Sequence, residues 1–228
     1  MSTAVISPNV EAALHLIDTM DYGECQVLHN VSWDEYEELL TELGPGYAVR
    51  IAYTEGELEL MAPLYRHERP KDLVLLMVSV LTQELGWEME SAGSTTLKRK
   101  DMKRGAEPDT CFYIQNAAQI IGRDSIDLRF DPPPDIVFEV DVTSKSKSKQ
   151  TTYAKFGVPE LWRYDSSGFH LFSLSGGRYV ERDASVTFPF VRGRDLEEFI
   201  ERGKMTGQNA TLAAFREWVQ AKLKDEAN

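Results

Sequence analysis

The stretch PPPDIVFEVDVTSKSKSKQTTYAKFGVPELWRYD, Pro132 to Asp165, decides the fold. Ile136, Phe138 and Val140 alternate with Asp135, Val137, Glu139 and Asp141, which predicts a strand with one apolar face and one face bearing carboxylates. A strand seldom commits a buried face to acids, so these acids mark it as a candidate site. The Ser, Thr and Lys residues of 143–149 lead into a short helix on which Lys149, Tyr153 and Phe156 share one side. Gly157 and Pro159 stop that helix, and LWRYD at 161–165 reads as the next strand. The outcome is a β–α–β unit with an acid on its first strand and a lysine near the start of its helix.

Upstream, RHERPKDLVLLMVSVLTQELG predicts one long helix closed by Gly86, apolar on almost every side from Leu73 to Leu81, with His67 and Glu68 on its polar first turn. Glu88 to Lys98 and Glu107 to Ile114 read as strands joined by the charged turn KRKDMKRG, and Asn116 to Ile121 as a helical turn. Ser32 and Glu35 match a capping box for a helix ending near Gly44-Pro45-Gly46. Tyr47 to Tyr53 and Glu57 to Met61, split by Glu55-Gly56, read as a hairpin expected to cover a sheet edge. Residues 1–30 are read as an N-terminal arm holding a short helix over Glu11 to Met20, ahead of a single domain over 31–228 with its core at about 63–174. Downstream, Phe169 to Leu174 and Arg178 to Arg182 form a hairpin turning at Ser175-Gly176-Gly177, and helices follow at Asp195 to Glu201 and Thr211 to Leu223.

Composition narrows the function classes. With 228 residues, 42% of them hydrophobic, the chain can bury a real core. A formal net charge of -12 argues against a general nucleic-acid coat, because phosphate binding rests on clustered Lys and Arg. The dense basic cluster Lys98, Arg99, Lys100, Lys103 and Arg104 reads either as a solvated hairpin tip or as a phosphate-backbone contact. Cys25 and Cys111 stand in no metal or redox spacing, and no leader or apolar run of membrane-spanning length is seen, so a reduced, cytoplasmic protein without membrane contact is expected.

The carboxylates can then be combined. Residues four apart on a strand are separated by roughly 13 Å, so Asp135 cannot share a small metal with Glu139. A partner must come from a neighbouring strand, about 4.8 Å away, and Asp109 in EPDTCFYI is placed to supply it. Two carboxylates about 4 Å apart repel by roughly 4 kcal/mol at an effective dielectric near 20, so the pair calls for a proton or a cation. Hard oxygen donors suit Mg²⁺ or Mn²⁺. Lys149, projected back over the sheet, would stabilise charge on a phosphate.

Glu-Pro-Asp109, Pro-Asp-Ile-Val-Phe-Glu139 and Lys149 followed by YAKFGVPELWRYD resemble the Uma-type putative restriction endonuclease family, a branch of the PD-(D/E)XK nuclease superfamily. The resemblance runs from about Trp33 to Leu174 and is strongest from Glu107 to Asp165. It implies a mixed α/β (α+β) fold, with a restriction-endonuclease-like core of helix, three strands, helix and strand, to which an N-terminal helix and hairpin and C-terminal helices are added. It further implies DNA as substrate and a divalent metal held by an acid on each of the second and third strands, here Asp109 and Glu139. The superfamily lysine stands two residues after the third-strand acid. That position is Asp141, which makes Lys149 the relocated lysine and Asp141 either an extra ligand or the mark of lost turnover. The acid often found on the first core helix matches Glu68. Two classes of function follow: a metal-dependent DNA endonuclease, with assembly as a homodimer compatible, or a non-catalytic nuclease-like fold serving interaction or oligomerisation. Tyr153, Phe156, Trp162 and Tyr164 are read as core packing.

Overall fold

A computed structural model describes residues 6–44, 47, 49–62, 65–140 and 147–226; within these, the side chains of 65–67, 147–148 and 226 are left aside. Asp141, one of the expected metal ligands, and the side chain of His67 therefore lie outside the described residues. The chain divides into two compact units, one of Met1–Tyr65 and Thr96–Glu107, the other of Arg66–Thr95 and Pro108–Asn228.

The first unit has a five-stranded antiparallel sheet in the order β1-β3-β2-β6-β5, built from β1 (Cys25–His29), β2 (Arg50–Thr54), β3 (Glu57–Met61), β5 (Leu97–Arg99) and β6 (Arg104–Ala106). Helices α1 (Pro8–Thr19) and α2 (Trp33–Leu43) belong to the same unit. The capping box of α2 forms as the sequence predicts: Glu35 N–H donates to Ser32 Oγ, and Ser32 N–H donates to the Glu35 carboxylate. Trp33, Tyr36 and Leu39, spaced three apart, bury one face of α2 against Ile51, Tyr53, Leu58 and Leu60. The helix and hairpin expected to cover a sheet edge thus build a sheet of their own. The stretch expected as an arm supplies α1 and edge strand β1, which pairs with β3 from Cys25↔Met61 to His29↔Glu57.

The second unit carries the core named by the resemblance. Its six-stranded sheet runs β11-β10-β9-β8-β7-β4, built from β4 (Glu90–Ser91), β7 (Thr110–Tyr113), β8 (Ile136–Val140), β9 (Glu160–Asp165), β10 (Gly168–Ser175) and β11 (Arg178–Arg182). All neighbours are antiparallel except β8 and β9, which are parallel and joined through α5 (Lys147–Phe156) as the predicted β–α–β unit. Helices α3 (Tyr65–Leu85), α4 (Ala117–Ile120), α6 (Gly193–Thr206) and α7 (Gln208–Glu226) complete the unit. Helix, three strands, helix and strand are α3, β4, β7, β8, α5 and β9.

Two expectations change. The strand expected over Glu88 to Lys98 is two short strands in different sheets, β4 and β5, because the chain turns at Gly93, whose φ of +55° suits glycine. Helix α3 is packed deeply, but not on every apolar side: Leu73, Val74, Met77, Val78, Val80 and Leu81 are buried at helical spacing, while Leu76 is exposed. Ile136, Phe138 and Val140, at every second position of β8, pack with these residues and with Phe169, Leu196 and Phe215. Phe138 stacks on Phe169 with centroids 5.6 Å apart, and truncating it to alanine would cost about 3–5 kcal/mol. The other face of β8 is buried as well, so Glu139 is enclosed rather than displayed to solvent.

Candidate active site

Register brings the second-strand and third-strand acids together. Strand β7 pairs with β8 through Thr110↔Phe138, so Asp109, one step before Thr110, stands opposite Glu139. The Asp109 carboxylate accepts the backbone N–H of Val140 at 2.7 Å, which ties it across the strand pair beside Glu139. Lys149 sits on the first turns of α5 with Nζ at 3.2 Å and 3.4 Å from the two Glu139 oxygens. Tyr153, one helical turn on, donates its hydroxyl to Glu139 Oε1 at 2.5 Å. Asp109, Glu139, Lys149 and Tyr153 are all buried.

The electrostatics follow from that enclosure. Burial pushes the Glu139 carboxyl up to about 7, with the Asp109 charge adding to the rise while Lys149 and the Tyr153 hydroxyl oppose it. Tyr153 is pushed well above the ordinary phenol range by burial and by Glu139, so it remains a donor. Cys111, on β7 two residues after Asp109, is pushed up to about 12 by burial, which leaves it an inert thiol. Glu139 thus meets a lysine, a phenol and a second acid in a buried place that disfavours its charge. The donors are hard carboxylate oxygens, so the Asp109–Glu139 pair fits a divalent cation. Among the described residues no group of three or more His, Cys, Asp and Glu forms a complete ligand set. Glu68 is half-buried on the first turn of α3 and is ion-paired with Lys71, so its carboxylate already has a cation.

Sequence reasoning assigned Tyr153 to the core only. It is buried, but it also fixes Glu139, and the clue was its spacing of four from Lys149 on one helix side. Asp135, the other Pro-Asp acid, lies at the far end of β8 and accepts from Ile114 N at 2.7 Å, Asn116 N at 3.1 Å and Asn116 Nδ2 at 2.9 Å. Glu160 is likewise saturated, by Trp162 Nε1 and by the Val186 and Thr187 backbone, with the Thr187 hydroxyl as a fourth donor. In the first unit the basic cluster is engaged by acids: Lys98 with Glu37, Lys100 with Asp34 and Glu37, Arg99 with Asp101, and Arg104 with Glu55. Its charge is largely spent locally.

Comparison with known proteins agrees with this architecture. A crystal structure described as a putative nuclease belonging to DUF820, from Anabaena variabilis ATCC 29413, superposes with a TM-score of 0.53 at 16% identity, covering 75% of this chain and 99% of that one. At that identity the likeness speaks for the fold alone. No curated protein matches the chain. No helix among the described residues is long and apolar enough to cross a membrane. The family described as Uma2, putative restriction endonuclease, matches residues 33–203, which is most of the sequence, and the chain belongs to that family.

Proposed function

We infer that this protein is a divalent-metal-dependent endonuclease that hydrolyses phosphodiester bonds of DNA. Family membership supports the nuclease class. The observation that carries the finer reading is the buried pairing of Asp109 with Glu139, under a lysine and a tyrosine that both hold Glu139. A restriction-type substrate, a cytoplasmic setting and a homodimeric assembly belong to the same proposal.

Asp109 and Glu139 would hold Mg²⁺ or Mn²⁺, with Asp141 and Glu68 as further candidates. When bound, such an ion supplies Lewis acidity towards a phosphoryl oxygen and a lowered pKa for water. The chain's own residues do the rest. Tyr153 fixes the Glu139 carboxylate through Oε1, so the side chain needs no reorganisation when a ligand arrives. Lys149 brings a positive charge to the place where phosphoryl charge develops. The Val140 N–H holds Asp109 Oδ2 and so fixes that carboxylate beside Glu139. Burial excludes bulk water and strengthens each of these interactions.

The test is plasmid nicking in Mg²⁺ or Mn²⁺, comparing the parent with Asp109→Ala and Glu139→Ala. The account expects metal-dependent nicking in the parent and none above background in either variant. Nicking by either variant at the parental rate contradicts the site. A folded parent that never nicks leaves the interaction-module reading in its place.

A further inference from the structure

Beyond the acids, the end of the sheet that holds Glu139 carries cations that no step above uses. Arg163 on β9 is the register partner of Glu139, and register partners on adjacent strands share a face. Arg163 does not pair with Glu139. Its Nε stands 3.0 Å from Asp165 Oδ2, off the line of the N–H, and its guanidinium lies over the Phe172 ring at 5.2 Å from the centroid. Among the described residues these two contacts hold the side chain, so the two terminal nitrogens of the fork face outward without a protein partner. A planar fork fixed at its stem and open at its tip is suited to bind phosphate oxygens.

The row continues. Arg163 pairs in register with His170 on β10, about 10 Å from β8 at the usual strand spacing. His170 lines a cavity of about 250 Å³ that Arg182, Arg192 and Arg194 also line, with Glu181 and Asp183 as the acids. At the cavity α6 begins hard against β10: a Cβ on Gly193 would stand 2.3 Å from the Phe169 carbonyl oxygen, so only glycine fits there. The three arginines outnumber the two acids of the lining, and Glu181 is already engaged by His170 Nδ1 at 2.7 Å, so in a chain of net charge -12 the cavity keeps a local excess of positive charge beside Arg163.

We propose that Arg163, His170 and the arginine-lined cavity form a track for the sugar-phosphate backbone of DNA, leading away from Glu139 across β9 and β10. This rests on the nuclease reading and adds the direction in which the substrate strand lies. Arg163 takes the phosphate next to the scissile one, and Arg192 and Arg194 take phosphates further along. Asp165 acts as a positioning residue: it holds the Arg163 stem, and is itself held by the Ser167 N–H at 2.7 Å and the Ser167 hydroxyl.

The experiment is fluorescence anisotropy of the full chain with a dye-labelled DNA duplex in Ca²⁺ at several salt concentrations. Arg163→Ala is expected to raise Kd roughly tenfold and to reduce the slope of log K against log salt by about 1, as for one lost phosphate contact. The double variant Arg192→Ala/Arg194→Ala should reduce that slope by about 2. Arg163→Lys keeps the charge and the slope but loses affinity with the fork. Arg192 and Arg194 are exposed, so their removal spares the fold even if Arg163→Ala proves unstable in a melting control. A parent that binds DNA while these variants keep its Kd and slope overturns the track. A parent that neither binds nor cuts DNA overturns the nuclease reading instead.

Discussion

The two ends of β8 treat a buried carboxylate in opposite ways. At the start, Asp135 accepts three hydrogen bonds from neutral N–H groups, and Glu160 beside it on β9 accepts four bonds from neutral donors. At the finish, Glu139 meets a lysine, a phenol and the charge of Asp109. Neutral donors in fixed backbone stabilise a carboxylate without leaving charge for anything else, so the first end is architecture. At the second end burial and the neighbouring Asp109 charge both disfavour an ionised Glu139, a cost that a bound divalent cation would offset, so that end is suited to a ligand. A buried acid therefore says little by its burial; the kind of donor around it separates support from chemistry.

The largest expected effect breaks that contrast by function. Asp109→Ala or Glu139→Ala should reduce metal-dependent nicking to background, whereas Asp135→Ala should leave nicking per folded molecule unchanged. Next comes stability with the order reversed. Asp135→Ala strands the buried Ile114 and Asn116 N–H groups and should cost about 2–5 kcal/mol, read as a lower denaturation midpoint. Glu139→Gln, which removes a carboxyl whose ionisation burial disfavours, should hold or raise the midpoint at pH 7, and an equal loss in both variants would erase the distinction.

pH sharpens it further. Glu139 keeps its proton in the native state up to about 7, whereas the unfolded chain releases it near 4.5. Between those values the native state binds more protons, so stability falls as pH rises through the window, by at most about 3 kcal/mol, and is flat above it. Glu139→Gln should remove that slope in a series of urea melts; a slope that persists places the titrating group elsewhere. The smallest effect concerns Lys149→Ala, which should slow nicking by roughly 10²-fold while divalent-ion binding persists. Loss of ion binding in that variant would make Lys149 structural.

Much of this was legible in residues 132–165. Alternation in IVFEV gave β8, the Gly157 and Pro159 breakers gave the end of α5, and Asp109 could be placed beside Glu139 by strand spacing alone. The division into two units was not legible, because it depends on which sheet each short strand joins. Lys98 and Ser91 lie seven residues apart yet belong to different sheets, and only the backbone turn at Gly93 separates them. The basic cluster misled for a related reason: its partners Asp34, Glu37 and Glu55 are distant in sequence. Tyr153 looked like core because local spacing cannot show what a hydroxyl meets. Arg163 sat unnoticed inside LWRYD, since its value comes from being the register partner of Glu139.

The central claim, that the Glu139 end of β8 takes a divalent cation, is tested most directly by melting temperature against Mn²⁺ concentration, in the parent and in Glu139→Gln. An ion that binds only the native state stabilises it by about 2.7 kcal/mol at a hundredfold excess over its Kd. The account predicts a rise in Tm with Mn²⁺ in the parent, absent from Glu139→Gln and not reproduced by KCl at equal ionic strength. Screening of the net charge of -12 would lift both proteins alike and would follow ionic strength whatever the ion. Equal shifts in the two proteins, or a rise matched by KCl, would contradict the claim.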